Sequence, residues 1–100
     1  MKTDIIELED KIIVTLEGEL DTANALEVEQ AMQPLHEVTG KEISIDCTQL
    51  EYIASSGLRI LLGLLKSAKA KGNKVVLKNL NPEIKEVFKL TGFIDLFDIE

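Results

Sequence analysis

One hundred residues carry eleven Lys and Arg against eighteen Asp and Glu, a net charge of -7, and this leaves room for one small hydrophobic core. The acidic balance and the lack of any basic cluster interleaved with aromatics exclude a nucleic-acid surface and disfavour an anionic membrane. With 45% apolar residues but only 4% aromatic ones, the chain reads as a single ordered domain over 1–100 with an aliphatic core.

Ile5-Ile6-Glu7-Leu8 and Lys11 to Leu16 read as two strands, and Glu9-Asp10 between them allows a tight antiparallel hairpin. Gly18-Glu19-Leu20-Asp21 interrupts the strand pattern as a turn. A helix then starts near Thr22, with Ala25, Val28, Met32 and Leu35 on one face at helical spacing. Pro34 removes a backbone donor late in that run, so it kinks the helix or marks a restart. Gly40 ends the segment, and Glu42-Ile43-Ser44-Ile45-Asp46 is the third strand.

Leu50-Glu51-Tyr52-Ile53-Ala54-Ser55-Ser56-Gly57-Leu58 follows, opening a very apolar helix with two adjacent hydroxyls and a glycine. One serine at such a place serves as a helix cap; a second is not needed for that. The free N–H groups and positive dipole end also suit a phosphate, which makes the pair a candidate switch. Leu58, Leu61, Leu62, Leu65 and Ala68 are the expected core face of this helix. Gly72-Asn73 turns the chain into the strand Lys74 to Lys78. Asn81-Pro82-Glu83 is a helix start with cap, proline at the first position and an acid in the first turn. Ile84, Val87 and Phe88 form that helix's apolar face, Gly92 suits its stop, and Phe93 to Ile99 holds a short strand or helical turn.

Ile12, Val14 and Leu16 alternate with Lys11, Ile13 and Thr15, and the third and fourth strands alternate likewise, so one sheet face is covered and the other largely wet. Right-handed crossovers between strands laid down in one direction place every helix on that covered face. The expected fold is a two-layer α/β domain.

Little in the chain points to catalysis. His36 is the only histidine and is expected to be solvated, and Ala54-Ser55-Ser56-Gly57 is not the Gly-x-Ser-x-Gly elbow of serine hydrolases. No glycine-rich phosphate loop with lysine occurs. Glu19, Asp21, Asp46 and Glu51 are expected at one end of the sheet, where a solvated acidic rim is the simplest reading. Cys47, the only cysteine, excludes an internal disulfide and a cysteine-based zinc site and is expected as a buried thiol. Residues 1–4 lack the apolar core of a signal peptide, and the longest mostly apolar run, Ile60 to Leu65, is far short of the roughly 20 residues of a membrane span. A cytoplasmic protein without cofactor, metal or membrane insertion is expected.

Four segments together resemble a known family: Gly18-Glu19-Leu20-Asp21, the stretch from Asp46 through Ser55-Ser56-Gly57-Leu58, Gly72-Asn73 with Val75-Val76-Leu77, and Val87-Phe88 to Leu90-Thr91-Gly92-Phe93. The family is the STAS domain, the module of sulphate transporters and anti-sigma factor antagonists. The resemblance covers essentially the whole chain and implies a mixed, mostly parallel sheet with helices on one face. It further implies an anti-sigma factor antagonist that binds an anti-sigma factor with serine kinase activity and thereby frees a sigma factor. Phosphorylation by that kinase ends binding, and a serine phosphatase restores it.

By the same resemblance Ser55 is the phosphoacceptor, and Glu19, Asp21, Ala54, Ser55, Ser56, Gly57 and Leu58 form the partner-binding surface. The family's pattern has an acidic residue where this chain has Ala54. That departure keeps open an alternative, a STAS scaffold subunit of a transporter or sensory complex that is never phosphorylated.

Overall fold

Short alternating strands at the start of the chain pair with their nearest neighbour in sequence. In the computed structural model, which describes residues 1–100, β1 (Lys2–Glu7) and β2 (Lys11–Leu20) pair antiparallel around Glu9-Asp10, where the Leu8 N–H donates to the Lys11 carbonyl at 2.8 Å. β3 (Glu42–Ile53), β4 (Lys74–Lys78) and β5 (Asp98–Ile99) then add in parallel, giving the order β1-β2-β3-β4-β5. Three helices, α1 (Ala25–Met32), α2 (Ser55–Ala70) and α3 (Pro82–Leu90), lie between the strands in sequence. The architecture is the expected mixed, mostly parallel sheet with its helices on one face.

The alternation of the strands sorts residues onto that face. Ile12, Val14, Leu16, Ile43, Ile45, Cys47, Val75 and Leu77 are all buried in one cluster with Val28 and Met32 of α1, Leu61 of α2, and Ile84 and Phe88 of α3. On α2 the core positions are Leu58, Leu61, Leu64, Leu65 and Ala68, whereas Leu62 is only half-buried. The expected stripe is thus rotated slightly: two adjacent leucines compete for one helical face, and the sheet's position decides between them. The open face is not uniformly wet either. Ser44 and Val76 are buried there, because each lies on a central strand with neighbours on both sides, Ser44 between Ile13 and Val76 in register.

Two strands run further than expected. β2 continues through Leu20, and Gly18 is no turn but a strand position with φ of 106°, next to a register shift between Gly18 and Glu19. A glycine in that conformation lets the ladder absorb a bulge instead of ending. β3 likewise runs through Leu50 to Ile53, both buried, so the segment before the serines is strand rather than loop. Asp46 therefore sits in mid-strand. It accepts hydrogen bonds from the Thr48 hydroxyl at 2.6 Å and the Thr48 N–H at 3.0 Å, which hold its carboxyl below the usual range. Burial pushes the neighbouring Cys47 thiol up to about 12, so it stays protonated and structural.

The first helix begins at Ala25, three residues later than expected, because Asp21 and Asn24 organise the preceding turn. Pro34 marks a restart: a 3-10 turn spans Gln33–Glu37 and buries Leu35. His36 is held rather than solvated, its Nδ1 lying 2.6 Å from the Ser67 hydroxyl. α3 starts as the sequence requires. Asn81 accepts from the Ile84 N–H at 2.8 Å and donates from its amide to the Leu50 carbonyl at 3.2 Å, so the cap also fixes α3 to the end of β3. Phe93–Asp95 forms a 3-10 turn after Gly92, and the Phe97 ring meets Phe88 edge-on at 5.7 Å, which brings the chain back for β5.

Candidate functional site

Parallel strands bring the ends of β2 and β3 to the same edge of the sheet. Leu20 and Ile53, the last residues of each, are register partners. The next residue after β3, Ala54, donates its N–H to the Leu20 carbonyl at 2.9 Å. The segment Gly18 to Asp21 is thereby joined to the start of α2 through Leu20.

Ala54 is the N-cap of α2. It has extended backbone, no side-chain oxygen to offer, and a carbonyl that accepts the Leu58 N–H at 3.0 Å. Ser55 and Ser56 are the first two helical residues, so neither serves as the cap, and the reading of Ser55 as a helix cap is corrected. The first N–H groups of a helix have no intrahelical acceptor, and here no side chain supplies one. The mouth of α2 thus keeps its first donors without a side-chain acceptor at its positive dipole end.

The two serines differ in freedom. Ser55 is exposed, while Ser56 is half-buried with its hydroxyl 3.2 Å from that of Thr22. A side chain from the α1 side holds Ser56. Thr22 itself is set by a reciprocal pair. Asp21 accepts from the Asn24 N–H at 3.1 Å, and Asn24 accepts from the Asp21 N–H at 3.0 Å while its amide donates to the Glu19 carbonyl at 2.7 Å. Asp21 therefore shapes the turn before α1. Thr22 and Asn24 escape a reading of the sequence; the Asp-x-x-Asn spacing is the readable signal for Asn24.

Gly57 is where α2 touches the sheet most closely. A methyl group there would lie 2.6 Å from Leu20 Cγ and 2.9 Å from Ile53 Cγ1, both in fully packed side chains. Only glycine lets the serine-bearing turn rest this near the strand ends. Gly57→Ala is expected to destabilise the domain by about 1–3 kcal/mol through overpacking, read as a lower denaturant midpoint. Unchanged stability would mean that Leu20 moves aside freely.

The acidic groups do not assemble into a metal site: no three His, Cys, Asp or Glu side chains lie close enough to share an ion. Asp46 lies in register with Lys78 at the end of β4, tied to Thr48 and Asn79, and stops short of the ends of β2 and β3 that carry Glu19 and Glu51, which corrects its expected place among the rim carboxylates. Glu19 and Glu51 are exposed and Asp21 is half-buried.

Residues 2–100 match the STAS domain family. The chain belongs to the STAS family. The anti-sigma-B factor antagonist of Bacillus subtilis is 30% identical over 99% of this chain and 90% of its own length. The crystal structure of an anti-sigma factor antagonist from Mycobacterium paratuberculosis superposes with a TM-score of 0.82 at 26% identity, covering 98% of this chain and 83% of that one. The Bacillus cell fate determinant SpoIIAA, solved in its phosphorylated form, shares the fold at a TM-score of 0.75 and 19% identity over 99% of this chain and 91% of that one. No helix of the STAS domain is long and apolar enough to cross a membrane.

Proposed function

We propose that this STAS domain is an anti-sigma factor antagonist, a binding module rather than an enzyme, switched by phosphorylation of Ser55. It acts in the cytoplasm as one domain over residues 1–100. The unmodified form sequesters an anti-sigma factor that is also a serine kinase and so frees a sigma factor; a serine phosphatase reverses the modification. The observation that carries the reading is the asymmetry at the mouth of α2. Ser55 offers a free, exposed hydroxyl at an uncapped helix start, whereas Ser56 is engaged with Thr22. We assign Glu19, Asp21, Ala54, Ser56, Gly57 and Leu58 with Ser55 to the partner-binding surface. The names of the Bacillus subtilis and Mycobacterium relatives support the same assignment.

The test is intact-mass analysis after incubation with ATP and the anti-sigma factor kinases encoded in the same genome, each purified. Wild type and Ser56→Ala are expected to gain one phosphoryl group and Ser55→Ala none. Labelling of Ser55→Ala at the wild-type level would remove Ser55 as acceptor. A second reading rests on Ala54, which offers a kinase no carboxylate beside the acceptor: a scaffold subunit that binds its partner permanently. Absence of labelling of the wild-type chain by every kinase would favour it.

A further inference from the structure

The only arginine of the chain, Arg59, stands one helical turn beyond the serine pair; every other base is a lysine. α2 contains no acidic residue, and Arg59 is its only base before Lys66. Residues three and four apart share one face of a helix, and long side chains lean back toward the N-terminus. At those spacings Arg59 has Ser55 and Ser56 on one side and Leu62 and Gly63 on the other. None of the four carries a charge. Ser56 and Arg59 line the same cleft between α1 and α2, so the shared face is a feature of the structure as well as of the spacing.

Arg59 is exposed and has no ionic partner. The ion pairs of the domain join Lys2 to Asp4, Lys41 to Glu7 and Lys78 to Glu100. Glu29 of α1 lines the same cleft as Arg59, yet the two form no ion pair. A guanidinium is a planar fork that can bond two phosphate oxygens at once, which an ammonium cannot match. An anion four residues before a cation is also the favourable order along a helix. The one group within that reach that can become an anion is a phosphorylated serine.

We propose that Arg59 holds the phosphate once Ser55 is modified, closing on two of its oxygens in an ion pair within α2. The inference rests on the phosphorylation reading and adds to it the residue that receives the modified form. In the free domain the pair offsets part of the phosphate's charge. A partner docking over the Ser55 turn has to bury that pair, desolvating both ions, or pull it apart. Arg59 is therefore a positioning residue for the phosphate and has no such role in the unmodified domain.

The experiment places phosphoserine at position 55 of the full chain during translation, independently of any kinase, and follows the phosphorus NMR signal against pH. A neighbouring cation favours the doubly charged phosphate, so it lowers the second ionisation from its ordinary pH of about 6. Replacing Arg59, an exposed side chain, with Gln is expected to raise that midpoint by about half a pH unit or more at low salt. Arg59→Lys is expected to fall between the two. Lys66→Gln, about 16 Å from Ser55 at about 1.5 Å per residue, is expected to match the wild-type sequence. Equal midpoints for wild type and Arg59→Gln overturn the role of Arg59 and leave Ser55 standing as the acceptor. A larger dependence on Arg59 when phosphoserine is placed at position 56 instead would assign the arginine to Ser56 and overturn the proposal. Failure of every anti-sigma factor kinase to label Ser55 removes the phosphorylation reading, and the inference falls with it.

Discussion

Leu61→Ala should lower the free energy of unfolding by about 2–5 kcal/mol, one of the largest effects expected from any single truncation in this domain. Leu61 is 1% exposed on the face of α2 that lies over the sheet, in the same cluster as Val14, Ile43 and Ile45. Its removal takes away transfer free energy and leaves a cavity that rigid strands on one side cannot collapse into. Urea titration should show a lower midpoint with an unchanged slope, since the surface exposed on unfolding hardly changes. Leu62→Ala, one residue along and half-buried, should cost clearly less. A larger loss at Leu62 than at Leu61 would mean that α2 sits on the sheet by a different face.

That pair of leucines also marks where the sequence stops being readable. Period and capping located α3 to the residue, because Asn81-Pro82-Glu83 joins three independent signals at one boundary. They located β4 equally well. α2 was legible as a helix, but Leu61, Leu62, Leu64 and Leu65 are all leucine, and hydrophobicity alone cannot rank neighbours of equal size. The outcome depends on the angle at which the helix crosses the sheet. The same limit applies to the long strands. Gly18 looks like a stop in one dimension, yet its φ of 106° serves a bulge whose partner strand is some thirty residues away in sequence. Leu50 and Ile53 lie beyond the readable strand for the same reason: what makes them strand is pairing with Gly18 and Leu20.

At the site, local chemistry misjudged how the parts of the stretch marked by the resemblance are held. Two serines before an apolar run suggest a cap, but the cap position falls on Ala54. The hydroxyl pair between Thr22 and Ser56 joins residues 34 apart in sequence, which no local pattern reveals. Gly57 was legible as a motif glycine only. Its physical reason, the approach to Leu20 and Ile53, needed the ends of β2 and β3 side by side.

Ser55→Asp should leave the fold intact and weaken binding of the anti-sigma factor, part of the way toward the loss produced by phosphorylation. An acid in the first turn of a helix is favourable by about 0.3–1 kcal/mol, so the thermal transition should stay level or rise slightly. The interface responds differently. Phosphate adds about -1.5 to -2 charges, which repel any carboxylate of the same edge, Glu19, Asp21 and Glu51 being the candidates. In the free domain water screens that repulsion: two unit charges about 6 Å apart cost about 0.7 kcal/mol at a dielectric near 80. When a partner displaces the water and the effective dielectric falls to about 20, the same pair costs about 3 kcal/mol. The difference is charged to binding alone, and a phosphate multiplies it while needing its own desolvation. An aspartate carries one charge and fewer acceptor oxygens, so its effect is smaller in the same direction. Calorimetric titration of the anti-sigma factor with wild type, Ser55→Asp and the phosphorylated protein should give affinities falling in that order, with unchanged unfolding transitions. Wild-type affinity for the phosphorylated protein would mean that Ser55 lies outside the interface, and the electrostatic switch would be excluded.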